Sequence, residues 1–370
     1  MALSKILPAS QEQYVGARNL IINGNAAVSQ RGVSAVGVPN GGYSTVDRMK
    51  FYESTGGAYT SEQSSDVPAG QGFSKSIKLA CTTADSSIGA AEIATMSQVI
   101  EGQNLQRLNY GTSDAKTITL SFWVKSNKTG IYTIAIYKHA GGGTAYGCPV
   151  EYTISSANTW EKKTITVTPT AGSTTLITSS AGAIIDSNGA GIEVHWGLAW
   201  GSNYNSTNNT WSSSGFYSTS NQVNWLDSTS NNFYITGIQL EVGSATPFEH
   251  EPFSVTLQKC ERYFRQSGAY TGAIPTGVGG FVSQQGMNQT SGQKALTKDW
   301  ETAMRATPTM TIYDHSTTAG KWSAVDTSGG WTNNLNYTGI ADQNAGGFKV
   351  YANGSTGYGY GLHYRADAEL

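Results

Sequence analysis

The chain has 370 residues, 44 of them glycine, with 13% charged residues and a formal net charge of −2. The length points to two domains, and a near-neutral balance without a basic block excludes electrostatic capture of nucleic acid. No apolar run approaches the length of a membrane span, which excludes insertion through a helix.

Residues 1–18 carry Leu3, Ile6, Leu7 and Pro8, too little pattern to fold alone and too short an apolar run for a signal peptide. They are read as a docking segment of a protein made in a reducing cytoplasm. The run Asn19 to Asn25 is stopped by the turn dipeptide Asn23-Gly24 and opens a first domain, 19–253. Phe73, Ile77, Leu79 and Cys81 share a phase, and Ile118, Leu120, Phe122 and Val124 alternate against Thr117, Thr119, Ser121 and Trp123. Ile131 to Tyr137 and the pair Ile165 and Val167 repeat the pattern. Such alternation, with no helices between the runs, predicts an all-β protein: an antiparallel sandwich of two sheets with about four or five strands each. Ile192, Val194, Trp196, Leu198 and Trp200 form a further alternating strand, which places both tryptophans in the core.

Gly201 to Asn232 holds one formal charge, Asp227, among Asn, Ser, Thr, Gly and aromatic residues, and predicts one long loop or two loops around a short hairpin. Phe233 to Val242 is a strand. Its alternation assigns Tyr234, Ile238, Leu240 and Val242 to one face and Phe233, Ile235, Gln239 and Glu241 to the other. After a corner bracketed by Pro247 and Pro252, the spacing of Leu257, Cys260 and Phe264 predicts a connecting helix over 254–265. Residues 266–370 then predict a smaller C-terminal β-domain. Met310 with Ile312, Phe348 with Val350, and Tyr358, Tyr360, Leu362, Tyr364 and Ala366 mark its strands. Cys81, Cys148 and Cys260 are three and widely spaced, giving neither a disulfide framework nor a metal motif, and are read as buried small hydrophobes.

The opening Asn19 to Asn25, with Gln30-Arg31-Gly32 and Asp47-Arg48, resembles the start of many bacteriophage tail-fibre proteins, the marine-phage type especially. The resemblance resumes at Phe233-Tyr-Ile-Thr-Gly-Ile-Gln-Leu-Glu-Val-Gly243, at Ala245-Thr-Pro-Phe-Glu249, at Cys260-Glu-Arg-Tyr-Phe264 and at Ala366-Asp-Ala-Glu-Leu370. Met49 departs from the pattern, where such proteins often carry an aromatic residue. The resemblance implies a virion tail component, a homotrimer with a jelly-roll domain similar to carbohydrate-binding modules. Its partners would be other tail proteins, met through the N-terminal segment, and a glycan of the host surface.

Glycan binding needs aromatic faces for sugar C–H surfaces and fixed polar groups for hydroxyls. In 201–232 the candidates are Tyr204, Trp211, Tyr217 and Trp225 as platforms, with Asn203, Asn205, Asn221 and Asp227 as polar partners. Each is weighed against a packing role, since aromatics pinning a loop bury the same faces. Trp322 and Trp331 are a rival pair in the C-terminal domain. No cofactor is implied. A structural Ca²⁺ would take Glu241 and Asp47, although no Asp-rich loop with ligand spacing exists and pairing with neighbours such as Arg48 competes. For catalysis there is no HExxH or GxSxG, and the five histidines look scattered. The acidic pairs Glu249/Glu251 and Asp367/Glu369 read as a solvated corner and a solvated chain end. The expectation is a non-enzymatic adhesin. A structural tail adaptor and a surface-polysaccharide depolymerase are the alternatives, the latter lacking the usual repeats. A secreted cellular glycan-binding protein would need an export signal.

Overall fold

The computed structural model describes residues 18–141, 143–213, 215–268, 272, 274, 276, 282–285, 293–325, 328, 330–337, 339–353 and 359–370. Residues 1–17 of the expected docking segment 1–18, and Tyr358, lie outside these. The first strands in chain order are β1 (Val36–Gly37), β2 (Gly42–Tyr43), β3 (Lys50–Glu53), β4 (Ala58–Ser64), β5 (Ser76–Thr83), β6 (Ile93–Glu101) and β7 (Ile118–Ser126). They continue with β8 (Gly130–Lys138), β9 (Tyr146–Ile154), β10 (Glu161–Val167), β11 (Ala190–Trp200), β12 (Ser212–Ser213) and β13 (Asn232–Val242). These build an antiparallel jelly-roll sandwich. One sheet has the order β1-β4-β5-β13-β7-β10 and the other β12-β9-β8-β11-β6-β3-β2. The sheets are six- and seven-stranded, larger than expected, because two-residue strands such as β1, β2 and β12 add edges that carry no alternation signal. One continuous core fills the space between them, from Leu20 to Leu240.

The helix α1 (Phe253–Glu261) is shorter than expected. It buries Thr256 and Cys260, whereas Phe264 already belongs to β14 (Phe264–Gln266). Strands β15 (Val282–Gln285), β16 (Gln293–Asp299), β17 (Thr309–Tyr313), β18 (Trp322–Val325), β19 (Trp331–Leu335), β20 (Gly339–Asn344), β21 (Gly347–Asn353) and β22 (Gly359–Asp367) follow. The last is the spine, pairing with β14, β15, β17 and β18. A second core of Ile312, Trp322, Tyr360, Leu362 and Tyr364 packs on it, and β16-β21-β20 forms a separate small sheet.

The phase expected for β13 is wrong in its first half. Phe233 and Ile235 are buried together with Ile238 and Leu240, and Tyr234 faces outward. The register slips between Thr236 and Gln239, and Gly237 sits at φ 62°, so the strand carries a bulge. One extra residue inverts the parity of everything after it. The gap is closed by Asn19, whose side chain donates to Ile238 O at 3.0 Å and accepts from Leu240 N at 3.0 Å. Gly24 approaches so closely that a Cβ there would lie 2.0 Å from Ile238 O. The two stretches that carry most of the resemblance therefore meet in space, and they do so as architecture.

The other resembling blocks meet at the joint between the two cores. Asp47 accepts from Gln30 N (2.9 Å) and Gln30 Nε2 (2.6 Å), and Gln30 also donates to Phe264 O (2.9 Å). Arg48 does not pair with Asp47. It bonds Glu369 and lies 3.4 Å over the Tyr263 ring. Arg31 reaches Asp367 at 3.0 Å and Glu369 at 3.4 Å. The chain end is thus a buried latch rather than a solvated tail, with the Glu369 side chain only 4% exposed. Glu249 and Glu251 are likewise engaged, the first accepting from Asn19 N at 2.9 Å and the second pairing with Lys259.

Candidate functional site

Three of the proposed platforms are core residues. Trp211 and Trp225 belong to the sandwich core and Trp322 to the second core, each with at most 1% of its surface exposed. Trp322 stacks on Tyr360 at 4.8 Å. Their faces are spent on packing, which is the competing role aromatics so often take. Asp227 is held by Lys128 and by Asn231, the latter at 2.8 Å. Trp331 is half-buried on β19, stacked 5.1 Å from His315. Asn221 donates to Glu151 at 3.0 Å, and Asn203 is exposed. Tyr204 and Tyr217 are half-buried and lie together, with ring centroids 5.9 Å apart.

Both tyrosines sit on the outer face of the seven-stranded sheet, over Trp200. A register shift between Gly197 and Ala199 turns Leu198 and Ala199 into the core and Trp200 out of it, so the core assignment made for Trp200 fails. Trp200 stacks flat on Tyr217, with centroids 5.0 Å apart and an interplanar angle of 5°, and Tyr204 leans on it at 5.4 Å. Gly197 leaves the room this needs: a Cβ there would lie 2.3 Å from Trp200 Nε1.

Beside this stack, the outward residues of neighbouring strands converge on Glu193. Pairing of β11 with β6 sets His195 opposite Ser97, and pairing with β8 sets Glu193 opposite Tyr137. Ser97 Oγ donates to Glu193 Oε1 at 2.6 Å, Tyr52 OH reaches the same oxygen at 3.3 Å, and His139 Nε2 lies 3.2 Å from Oε2. Burial alone would raise the Glu193 carboxyl. The neighbouring histidines and the hydrogen bonds from His139 and Ser97 outweigh it and hold the group at about 2. His195 is pushed below its usual value, chiefly by burial. Near neutrality the carboxylate is therefore held by hydrogen bonds, and His195 is a neutral imidazole. Its Nε2 stands 3.6 Å from Glu193 Oε2, beyond hydrogen-bond reach. Neither His195 nitrogen nor Trp200 Nε1 has a partner among the described residues.

The face thus combines four aromatic rings (Tyr137, Trp200, Tyr204 and Tyr217), a buried carboxylate and an unpartnered imidazole. Tyr217 carries it because its ring meets four others: Tyr137 at 5.1 Å, His195 at 4.8 Å, Trp200 at 5.0 Å and Tyr204 at 5.9 Å. The opposite sheet has an outer aromatic pair as well, Trp160 and Tyr234 at 6.2 Å, but there the indole N–H is satisfied by Asp66 at 3.0 Å. The reading of the histidines as scattered missed the convergence, since residues 139, 193 and 195 meet only through the pairing of β8 with β11. The available signal was the alternation of β11, which puts Glu193 and His195 on one face.

Asp47 and Glu241, the carboxylates named for calcium, spend their oxygens on protein donors, Glu241 accepting from Thr246 N at 2.8 Å and Thr246 Oγ1 at 2.7 Å. Among the described residues no group of three or more His, Cys, Asp and Glu is arranged to hold a metal ion. The three cysteines are free and buried. No described helix is long and apolar enough to cross a membrane.

No protein-family model matches the chain, and no curated protein does. Among solved structures, it is similar to the enzymatically active domain of bacteriophage CBA120 tailspike protein 4, at 14% identity and a TM-score of 0.30. That match covers 61% of this chain and 21% of the tailspike chain, so the protein spans about a fifth of that relative's length. It is also similar to the family 11 carbohydrate-binding module of a Clostridium thermocellum cellulase (12% identity, TM-score 0.26, 60% of this chain and 99% of the module). A third is a xylan-binding domain from Paenibacillus barcinonensis (8% identity, TM-score 0.27, 58% and 99%). At these identities and scores the likenesses carry no argument about function, which rests on the geometry of the face.

Proposed function

We propose that the protein binds a saccharide of the host surface on the outer face of the seven-stranded sheet, as a non-enzymatic, homotrimeric component of a phage tail. One observation carries the glycan reading: the Trp200–Tyr217 stack lies against a buried imidazole with two unpartnered nitrogens and an ionised carboxylate. Stacking rings supply the apolar platform, and the fixed polar groups supply orientation for hydroxyls. The tail assignment rests on the sequence blocks Asn19–Asn25, Gln30–Gly32, Phe233–Gly243, Cys260–Phe264 and Ala366–Leu370. Those blocks line the bulge and the joint, so in this reading they build the scaffold and the aromatic face does the recognising. The division into a sandwich over 19–253, a connecting helix and a C-terminal β-domain belongs to the same reading.

The test is binding of the full chain to a glycan array and to host cells. Trp200→Ala should weaken binding at least tenfold and Trp331→Ala should leave it unchanged. Binding to neither glycans nor cells would instead make the chain a structural tail adaptor. Release of new reducing ends from host polysaccharide would make it a depolymerase.

A further inference from the structure

We propose that Tyr217 is a removable cover, and that a saccharide ring takes its place on Trp200. This rests on the glycan reading of the face. The stack of Tyr217 on Trp200, 5.0 Å apart and 5° from parallel, has the geometry in which a flat ring lies on an indole. With Tyr204 leaning on the indole at 5.4 Å, it leaves Trp200 only 9% exposed. The platform is therefore closed by side chains of the protein itself, Tyr217 being the one that lies flat on it.

What lies beneath the cover is poised for a ligand. Tyr217 meets His195 edge-on at 4.8 Å, His195 is 4% exposed, and both its nitrogens lack a partner among the described residues. A buried polar group left without a hydrogen bond is costly, and the closed state does nothing to recover that cost. A neutral imidazole offers one donor and one acceptor on diverging sides of the ring, so its two nitrogens would take two separate hydroxyls.

The cover is carried by a loop and the floor by the sheet. Tyr217 is held by a side-chain hydrogen bond with Tyr137 and by its N–H, which donates to Tyr204 O at 3.0 Å. Ser218 and Thr219 beyond it are buried anchors, Ser218 O accepting from Ser206 N at 2.8 Å and Thr219 Oγ1 donating to Glu151 at 2.6 Å. His195, by contrast, belongs to β11, paired on both sides by β6 and β8. Opening needs the Tyr217 side chain to swing off Trp200 and give up its Tyr137 bond, and leaves the sheet as it is. The floor also sets the ligand class. Glu193 puts an ionised carboxylate beside His195, and like charge disfavours an acid there. The fitting ligands are neutral or amino sugars, and uronic or sialic-type acids are excluded.

Two readouts on the full chain test this. The first uses no sugar: diethylpyrocarbonate labelling, read by peptide mass spectrometry. Wild-type His195 should label slowly but measurably, with a rate raised at least tenfold in Tyr217→Ala and in Tyr217→Leu, which keeps apolar bulk. His363, buried elsewhere, should remain unlabelled throughout. Equal silence of His195 and His363 in the wild type overturns the cover.

The second readout takes the best-binding neutral oligosaccharide of the array. It should protect His195 from the reagent and bind both Tyr217 variants about threefold to tenfold more tightly than wild type, while acidic counterparts fail to bind. Weaker binding by both variants would make Tyr217 itself the platform, overturning the cover while the glycan reading stands. If no sugar binds but His195 labels as expected, the cover stands and the glycan reading falls.

Discussion

Glu193 is a carboxylate buried on the outer sheet face; burial pushes it up, and His195 together with the hydrogen bonds from His139 and Ser97 pulls it down further. Its value in the fold, about 2, lies below the ordinary carboxylate value of 4.5. A depressed value means that the unfolded chain binds the proton more tightly, so the stabilisation is fully present above about pH 4.5 and lost as the pH falls towards 2. The urea midpoint of the wild type should fall across that window, and Glu193→Gln should flatten the fall. An unchanged profile in the variant would show that other carboxylates dominate acid unfolding. Gly237 is decided at the same scale. Its φ of 62° is costly for any residue with a Cβ, and that atom would lie 2.5 Å from the Phe73 ring. Gly237→Ala should lose about 1–2 kcal/mol from the backbone term alone, read as a lowered urea midpoint, with more if Phe73 cannot yield.

Elements are joined here by charge as much as by apolar packing. The chain end following β22 is clasped by Arg31 and Arg48, and Arg305 donates to the carbonyls of Ala368 (2.7 Å) and Glu369 (3.0 Å). Tyr43 OH and Lys50 Nζ both reach Leu370 O, at 2.8 and 3.0 Å. Arg48 and Glu369 are both nearly inaccessible, at 1% and 4% side-chain exposure. Removing Glu369 leaves buried Arg48 with only the Val99 carbonyl (2.7 Å), at a cost of about 3–5 kcal/mol, whereas Glu369 without Arg48 keeps Arg31 at 3.4 Å. Chemical denaturation should therefore show Glu369→Leu strongly destabilising, Arg48→Met less so, and the double substitution costing less than the sum of the two. Additive losses would mean that the pair is not coupled.

At the scale of the whole molecule, the proposed trimer would turn a shallow, weak site into an effective one. Simultaneous engagement can raise avidity over a single site by about 10²–10⁴ without any new contact. A solution mass of three times the chain mass is expected from light scattering, and a stable monomer would overturn the trimer. The trimer should also hold immobilised host polysaccharide far better than a soluble fragment carrying one binding epitope. Equal affinity for both would remove avidity from the mechanism. Acidic cell-surface polymers should compete poorly, because the proposed face holds the buried Glu193 carboxylate.

The sequence by itself determined the class of fold. Period-two alternation at Ile118–Val124 and Ile192–Trp196 reports one buried face directly, and Gly- and Asn-rich breaks separate strands without helices. It also marked the scaffold, since Asn19, Gly24, Gln30, Asp47, Arg48 and Gly237 form or brace the bulge and the joint. Alternation counts residues, however, and a bulge breaks the count. That is why Tyr234 and Trp200 were set on the wrong faces, although the glycine inside β13 was a visible warning. The candidate site was legible only in part, through Tyr204 and Tyr217, because composition cannot tell an aromatic ring that covers a sheet from one that fills a core. Trp211, Trp225 and Trp322 took the second role. The meeting of His139, Glu193 and His195 was left to the tertiary structure, because strand pairing rather than spacing along the chain decides which outward side chains become neighbours.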